Sequence, residues 1–107
     1  MIKQVCYLFK TNLSIQHFYF DKTNVTLVGL REVLRAIQER RNFRTISVKE
    51  NELSLVAEDG QGIVELLKNN LSLTDFHYQH NYFDAEFDEA VKLELSLNDK
   101  VVKNILP

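Results

Sequence analysis

Apolar residues recur along the chain with two different periods, and these periods predict alternating strands and helices. Two β-rich apolar runs, 2–10 and 15–21, flank a polar connection and predict a first β-hairpin. From Thr26 the apolar residues lie three or four positions apart, which predicts an amphipathic helix that Thr26 caps and that ends near residue 41. The apolar positions of this helix are Leu27, Leu30, Val33, Leu34 and Ile37.

The same order of elements returns in the middle of the chain. Alternating apolar residues in 45–50 and 53–58 predict a second hairpin that turns at Asn51. After the loop at 59–62 the spacing becomes helical again, so a short second helix is predicted to end near residue 70.

The last third of the chain combines aromatic, acidic and alternating segments. A polar-aromatic run, 76–83, predicts a strand and is followed by an acidic stretch at 84–89. Strict alternation of apolar and polar residues in 91–97 predicts a half-buried strand, and one or two helical turns are predicted between residues 98 and 106.

Together these elements predict one α+β domain over residues 1–107, with a mostly antiparallel sheet of five to six strands and two main helices. The order strand, strand, helix recurs about every 35 residues. Because we find no matching residues at equivalent positions of the three units, we predict a repeated order of elements without a repeated sequence.

Composition and cysteine usage narrow the class of protein. With 45% hydrophobic and 26% charged residues, the chain is typical of a folded globular protein. Cys6 is the only cysteine, which excludes an internal disulfide and a zinc site built from several thiolates, and we expect it to be a small core residue. Neither a signal peptide nor a run approaching ~20 apolar residues is present, so we expect a cytoplasmic protein without membrane association.

Charged residues form two segments of opposite sign, although the formal net charge is only -2. The acidic segment, 84–89, combines carboxylates with aromatic side chains, which favours a non-enzymatic module that binds a protein partner with a basic surface, such as an inhibitor or an immunity protein. The predicted partner-binding residues are Asp84, Glu86, Phe87, Asp88 and Glu89, with Tyr78 and Tyr82 as neighbouring anchors. In the alternative interpretation the acids keep a loop soluble while Phe83 and Phe87 enter the core.

The second charged segment, 31–44, contains all five arginines of the chain. They are Arg31, Arg35, Arg40, Arg41 and Arg44. Clustered guanidinium groups favour phosphate or nucleic-acid binding as a second hypothesis. Glu32 and Glu39 interrupt the cluster, so a solvated helix face with internal ion pairs explains it more simply. Pairing of this segment with the acidic segment of another copy would give a homodimer.

The candidate for an active site is the set Asp75, His77 and His80, which would suit a small metal-dependent hydrolase or nuclease. In a strand, however, His77 and His80 would face opposite sides, so we expect them to fill ordinary strand positions. The sequence lacks a dinucleotide-binding fingerprint, a P-loop and a nucleophile elbow. We therefore predict no catalytic residue, no metal site and no cofactor, and favour a protein that is not an enzyme.

Overall fold

A computed structural model describes residues 1–104 of the chain, with Ala57 described by its backbone alone. Its elements are, in chain order, helix α1 (Ile2–Thr11), strand β1 (His17–Tyr19), helix α2 (Leu27–Ala36), strand β2 (Thr45–Ser47), strand β3 (Ser54–Leu55), helix α3 (Ala57–Lys68), strand β4 (Asp75–His77), strand β5 (Tyr82–Phe83) and helix α4 (Ala85–Asn104). Strands β1, β2 and β4 form one sheet in that order, and β3 pairs with β5. These strand pairs are all parallel.

The chain is therefore α+β, but the predicted mostly antiparallel sheet of five to six strands is wrong, and so are both predicted hairpins. Strands β2 and β3 are neighbours in sequence, yet they belong to different sheets. Each strand pairs instead with the strand at the equivalent position of the next unit. Parallel strands need a crossover connection, and helices α2 and α3 provide it.

The units stack side by side with their strands in register. Phe18 of β1 is aligned with Ile46 of β2, which is aligned with Phe76 of β4. The spacings are 28 and 30 residues, shorter than the predicted 35. The helices pack in the same order, α1 against α2, α2 against α3 and α3 against α4. The molecule is thus a short solenoid with strands on one side and helices on the other.

A buried asparagine, Asn51, lies in the turn after β2 and connects it to the turn after β1. Its Nδ2 atom donates to the carbonyl oxygens of Phe20 (2.8 Å) and Val48 (2.9 Å). Its Oδ1 atom accepts from the backbone N–H groups of Thr23 (2.9 Å) and Val25 (3.3 Å). One side chain thereby satisfies backbone groups from two successive units and fixes them to each other.

Asn81 makes the equivalent bonds one unit later. Its Nδ2 atom donates to the carbonyls of Val48 (2.9 Å) and Tyr78 (3.0 Å), and its Oδ1 atom accepts from the N–H groups of Asn51 (3.1 Å) and Leu53 (2.9 Å). The two asparagines therefore form a ladder along the stack.

The ladder identifies equivalent positions of similar character in the three units, although none of these positions has the same residue in all three. The aligned positions are Phe18, Phe20 and Thr23, then Ile46, Val48 and Asn51, then Phe76, Tyr78 and Asn81. After the ladder position the register changes by two residues, since Phe83 pairs with Leu55. Their spacing up to the ladder position matches the L-x-L-x-x-N part of the leucine-rich-repeat pattern. Other apolar residues stand at most of the leucine positions, which hides the repeat.

The turn of each unit contains a non-glycine residue in the left-handed backbone region. Lys22, Glu50 and His80 have φ angles of 54°, 59° and 62°, and they occupy equivalent positions directly before the ladder position. Asn24 and Glu52 also have positive φ, at 57° each. His80 is therefore a turn residue, and histidine is one of the residue types that tolerate this conformation.

The predicted first strand, 2–10, is wrong, because this segment forms α1. Ile2, Val5, Cys6 and Phe9 lie at helical spacing and pack against the core, where Phe9 is fully buried. Burial raises the pKa of the half-buried Cys6 thiol. Cys6 is therefore an edge-of-core residue.

The predicted helix that Thr26 caps is confirmed as α2, in which the Thr26 hydroxyl accepts from the Gly29 N–H at 3.0 Å. It ends at Ala36, five residues before the predicted end near 41. The second predicted helix is also present, as α3, but it starts before the predicted loop at 59–62 and includes it.

A single helix, α4, replaces the predicted strand at 91–97 and also includes most of the acidic stretch at 84–89. Phe87, Val91 and Asn98 are its buried residues, and Asn98 donates to the carbonyl of Leu73 at 2.8 Å. Leucine, glutamate and lysine, which are frequent here, favour helices. The predicted turns between 98 and 106 continue this helix up to Asn104, and the rest lie outside the described residues. In the described part of the chain, no helix is both long and apolar enough to cross a membrane.

Candidate functional site

The three-stranded sheet has a core side and an outer side. Phe18, Ile46 and Phe76 point to the core, where Ile46 is fully buried. Side chains alternate along a strand, so the residues on either side of these three point outward in two rows. We call this surface the strand face, and it consists of His17, Thr45 and Asp75 in one row and Tyr19, Ser47 and His77 in the next.

The centre of the strand face is fixed by hydrogen bonds. Thr45 and Ser47 of the middle strand are only 5% and 0% exposed, because the larger side chains of both neighbouring strands flank them. The Nδ1 atom of His17 lies 2.7 Å from the Thr45 hydroxyl. Tyr19 remains 62% exposed. The face therefore presents one large aromatic side chain beside polar groups that are held in place.

Asp21 fixes the end of this face. Its carboxylate accepts from the Ser47 hydroxyl at 2.6 Å and from the Lys49 backbone N–H at 2.8 Å. A carboxylate that accepts two such bonds is held in one orientation. It supports the strand face structurally and at the same time places a negative charge at its border.

The residues predicted for a metal-dependent hydrolase or nuclease are not brought together as a metal site. Asp75 and His77 lie two positions apart on the outer side of β4, whereas His80 lies in the following turn. Within residues 1–104, no group of three or more His, Cys, Asp or Glu side chains could hold a metal ion. His17 shares the strand face with His77 but belongs to the other row and is two strands away.

Two of the predicted partner-binding aromatic residues lie in the core. Phe87 is 1% exposed and Tyr78 is 7% exposed, and their rings meet edge to face at 5.4 Å. Neither ring is accessible to a partner on the folded protein. The burial of Phe87 therefore agrees with the alternative interpretation of the acidic segment, in which this side chain enters the core.

Asp88 also has an internal role. It accepts a hydrogen bond from the Tyr78 hydroxyl and pairs with Lys92 at 2.8 Å. Bonds from Lys92 and then Tyr78 lower the pKa of Asp88 below its ordinary value. Burial, followed by Asp88, raises the pKa of Tyr78 above its ordinary range.

Asp84 begins α4, since its carboxylate accepts from the Phe87 N–H at 2.8 Å, as expected of an N-terminal capping residue. The exposed remainder of the predicted surface consists of Tyr82, Glu86 and Glu89. Phe83, which only the alternative interpretation places in the core, is 41% exposed, and Tyr82 is 67% exposed. We call Tyr82, Phe83, Glu86 and Glu89 the aromatic-acidic edge.

Arg40 does not belong to a surface patch. It is 8% exposed and donates to the backbone carbonyls of Phe9, Leu13 and Ile15, which tie the end of α1 to the start of β1. Its guanidinium also lies 5.1 Å from the centre of the Phe43 ring. Its role is structural.

Two other arginines of the predicted cluster also bond to the protein backbone. Arg44 donates to the carbonyls of Arg41 (2.8 Å) and Ser72 (3.3 Å), and Arg31 donates to the carbonyl of Asp59 (3.4 Å). Arg35 and Arg41 are exposed and line a cleft with Lys10. The five arginines therefore do not form one continuous cationic surface.

Comparisons with known proteins give a likeness of fold. No protein-family model matches the sequence. No curated protein matches it either. Among solved structures, the tropomodulin C-terminal domain of Caenorhabditis elegans has a similar fold, with a TM-score of 0.72 at 11% sequence identity. The match covers 91% of this chain, which spans 58% of that structure.

Proposed function

We propose that this protein is a non-enzymatic protein-binding module that contacts a folded partner with its strand face. Stacked repeats present extended surfaces of this kind, since equivalent side chains recur at the strand spacing of about 4.8 Å. The tropomodulin C-terminal domain has a similar fold, with a TM-score of 0.72, so the same arrangement of elements occurs in a solved structure.

The exposure of Tyr19 is the observation that carries this proposal. A tyrosine that is 62% exposed on a short strand offers a rigid aromatic anchor with a polar tip. Anchors of this type supply much of the binding energy in compact interfaces. His17 lies two positions before it on the same strand, and Asp75 and His77 lie two strands away on the same face, so the face also offers groups that donate and accept hydrogen bonds.

The aromatic-acidic edge is a second candidate surface for a protein partner. Tyr82 and Phe83 are both exposed and are followed directly by the carboxylates of the first turns of α4. This arrangement favours a partner with a basic surface. The inhibitor or immunity-protein role, pairing of the acidic and arginine segments of two copies, and the cytoplasmic location stay predictions.

The structure supports nucleic-acid binding less than the sequence does. Three of the five arginines bond to backbone carbonyls, and Arg35 and Arg41 share their cleft with Glu39. A cluster of two exposed arginines beside a carboxylate would release few counterions from a polyanion.

Site-specific crosslinking tests the proposal. Benzoylphenylalanine is placed at position 19, 82 or 7 of the full chain, and crosslinked proteins from native lysate are identified by mass spectrometry. Tyr7 is the matched control, because it is a 70% exposed tyrosine on α1. We expect a specific partner from position 19 and none from position 7.

The partner is then purified and titrated by calorimetry. Tyr19→Ala is expected to weaken binding roughly tenfold or more, that is by about 1.4 kcal/mol, while Tyr7→Ala leaves the affinity unchanged. Unchanged affinity of Tyr19→Ala would exclude the strand face. A loss confined to Tyr82→Ala would transfer the interface to the aromatic-acidic edge.

A further inference from the structure

The outward side of α4 carries two exposed leucines between an acid and a base. Leu93 is 60% exposed and Leu97 is 44% exposed, although both belong to a helix whose other side is buried. Glu89 lies one turn before Leu93, and Lys100 lies three residues after Leu97. We call these four residues the α4 stripe.

The four residues share one face of the helix. At 3.6 residues per turn, they fall within an arc of about 80°. Phe87, Val91 and Asn98, which are buried, lie on the opposite side. The stripe therefore points away from the core and from the neighbouring helix α3.

The charged ends of the stripe lack partners within the described residues. Neighbouring lysines of α4 form ion pairs inside the helix, Lys92 with Asp88 at 2.8 Å and Lys103 with Asp99 at 3.0 Å. In the part of the chain from 1 to 104, no hydrogen bond or ion pair involves the side chain of Glu89 or Lys100. Both are exposed and available to another molecule.

The order of the stripe is self-complementary when two copies of α4 run antiparallel. With a rise of 1.5 Å per residue, Glu89 lies about 9 Å and Lys100 about 7.5 Å from the midpoint between the leucines, on opposite sides. A two-fold axis through that midpoint sets Leu93 against Leu97 of a second copy. It also brings each Glu89 close to Lys100 of the other copy. A parallel arrangement would instead set like charges against each other.

We propose that the α4 stripe is a self-association surface, and that its occupant is the antiparallel α4 of a second copy. A two-fold interface requires a patch that is complementary to itself, and the order of these four residues meets this requirement. Two leucines per copy form a small apolar contact, so we expect a weak dimer with a dissociation constant on the order of 100 µM. The proposal is independent of the strand face.

Charge reversal tests it in analytical ultracentrifugation of the full chain from 10 µM to 1 mM. Wild-type protein is expected to dimerise. Glu89→Lys and Lys100→Glu are each expected to weaken dimerisation about tenfold, because each sets like charges against each other in both halves of the interface. The double variant Glu89→Lys/Lys100→Glu is expected to recover an affinity within about threefold of wild type, since it exchanges the charges without removing either pair.

Lys3→Glu on α1 is the matched control, because it makes the same change in net charge as Lys100→Glu at an exposed position of another helix. It is expected to leave dimerisation unchanged. Circular dichroism verifies that each variant is folded. A wild-type protein that stays monomeric at 1 mM would overturn the proposal. So would a double variant as weak as the single variants, which would indicate a parallel pair or another surface.

Discussion

Asn51 and Asn81 make equivalent hydrogen bonds at two depths of the stack. Asn51 lies between two units and is 7% exposed, whereas Asn81 belongs to the last described unit and is half-buried. Each side chain donates to three carbonyls and accepts from two N–H groups. The free-energy cost of losing these hydrogen bonds is expected to differ between the two sites. Water reaches the end of the stack, at Asn81, more easily than its middle, at Asn51.

Replacing the two asparagines by alanine is expected to give the largest effects and to separate these two depths. Asn51→Ala is expected to lower the free energy of unfolding by about 4 kcal/mol, because two backbone N–H groups lose their acceptor and three carbonyls each lose one donor. Asn81→Ala is expected to lower it by about 2 kcal/mol, since water replaces part of the lost bonds. Urea denaturation followed by circular dichroism measures both.

The matched control is Asn104→Ala, an exposed asparagine that donates to a carbonyl one turn earlier in α4. It is expected to change stability by less than about 0.5 kcal/mol. Equal losses for Asn51→Ala and Asn81→Ala would contradict the view that depth in the stack determines the energy of the ladder.

The contact between α3 and α4 shows how tightly the last helix is packed onto the middle of the stack. A Cβ atom on Gly60 would lie 2.5 Å from a carbon of the Phe87 ring, which is fully buried. Gly60→Ala is therefore expected to destabilise the protein by about 2 kcal/mol. Thermal or urea unfolding provides the measurement.

Gly62 provides the matched substitution in the same helix. The nearest atom to a Cβ there is Nε of Arg31, at 3.1 Å, which belongs to a long flexible side chain. Gly62→Ala is expected to be neutral or to stabilise by up to about 1 kcal/mol, because alanine favours the helix. If the two substitutions had the same effect, α4 would have to move freely relative to α3.

A smaller loss of stability is expected on removal of the Tyr78 hydroxyl at the end of the stack. A carboxyl whose folded-state pKa is lowered, such as Asp88, stabilises the fold above its unfolded pKa near 4 and loses this contribution as the pH falls through its folded-state value. Tyr78→Phe is expected to destabilise less than Asn81→Ala at pH 7. The difference from wild type is expected to shrink between pH 5 and pH 2.

At alkaline pH, the expected change of stability with pH has the opposite sign. The pKa of Tyr78 is raised in the fold, so its contribution is present below its unfolded pKa near 10 and is lost as the pH rises beyond it. The free energy of unfolding, measured against pH for wild type and Tyr78→Phe, is therefore expected to differ most near neutrality. A difference independent of pH would show that the bond to Asp88 contributes nothing.

Helix α2 is predictable from the sequence because a single face of it meets the core. Leu30, Val33 and Leu34 are fully buried at the spacing that the sequence shows, and Thr26 caps the first turn. Its early end is not predictable, because Arg40 is bound by carbonyls that lie 25 to 31 residues away in sequence.

Helix α4 is not predictable in the same way, because it exposes part of its apolar surface. Val91 and Leu95 pack inward, while Leu93 and Leu97 point outward. Each pair is spaced by four residues, as a helix requires, but the two interleaved pairs together produce an apparent period of two. The alternation that predicts a strand is thus the result of a helix with two apolar sides.

The candidate surfaces are predictable only in part. The exposure of Tyr82, Glu86 and Glu89 agrees with the acidic and aromatic composition of their segment, whereas the burial of Phe87 depends on the contact with Gly60. The strand face depends on the parallel register, which aligns Tyr19 with a residue 28 positions away. The equal spacing from each strand to its ladder position is the signal that would have revealed this register.

The units differ in length, yet the distance from the first strand to the ladder position does not. From the first strand residue to the ladder position there are six steps in each unit, at 17–23, 45–51 and 75–81. From the start of the helix to the next strand there are also 18 steps in both cases, 27 to 45 and 57 to 75, so the two additional residues of the longer unit lie between its ladder position and its helix, in the segment 52–56 that contains β3. For protein engineering, this makes the segment between ladder position and helix the place for insertions, reporter loops or grafted segments, because the chain is longer there in one unit without a shift of β2 against its neighbours.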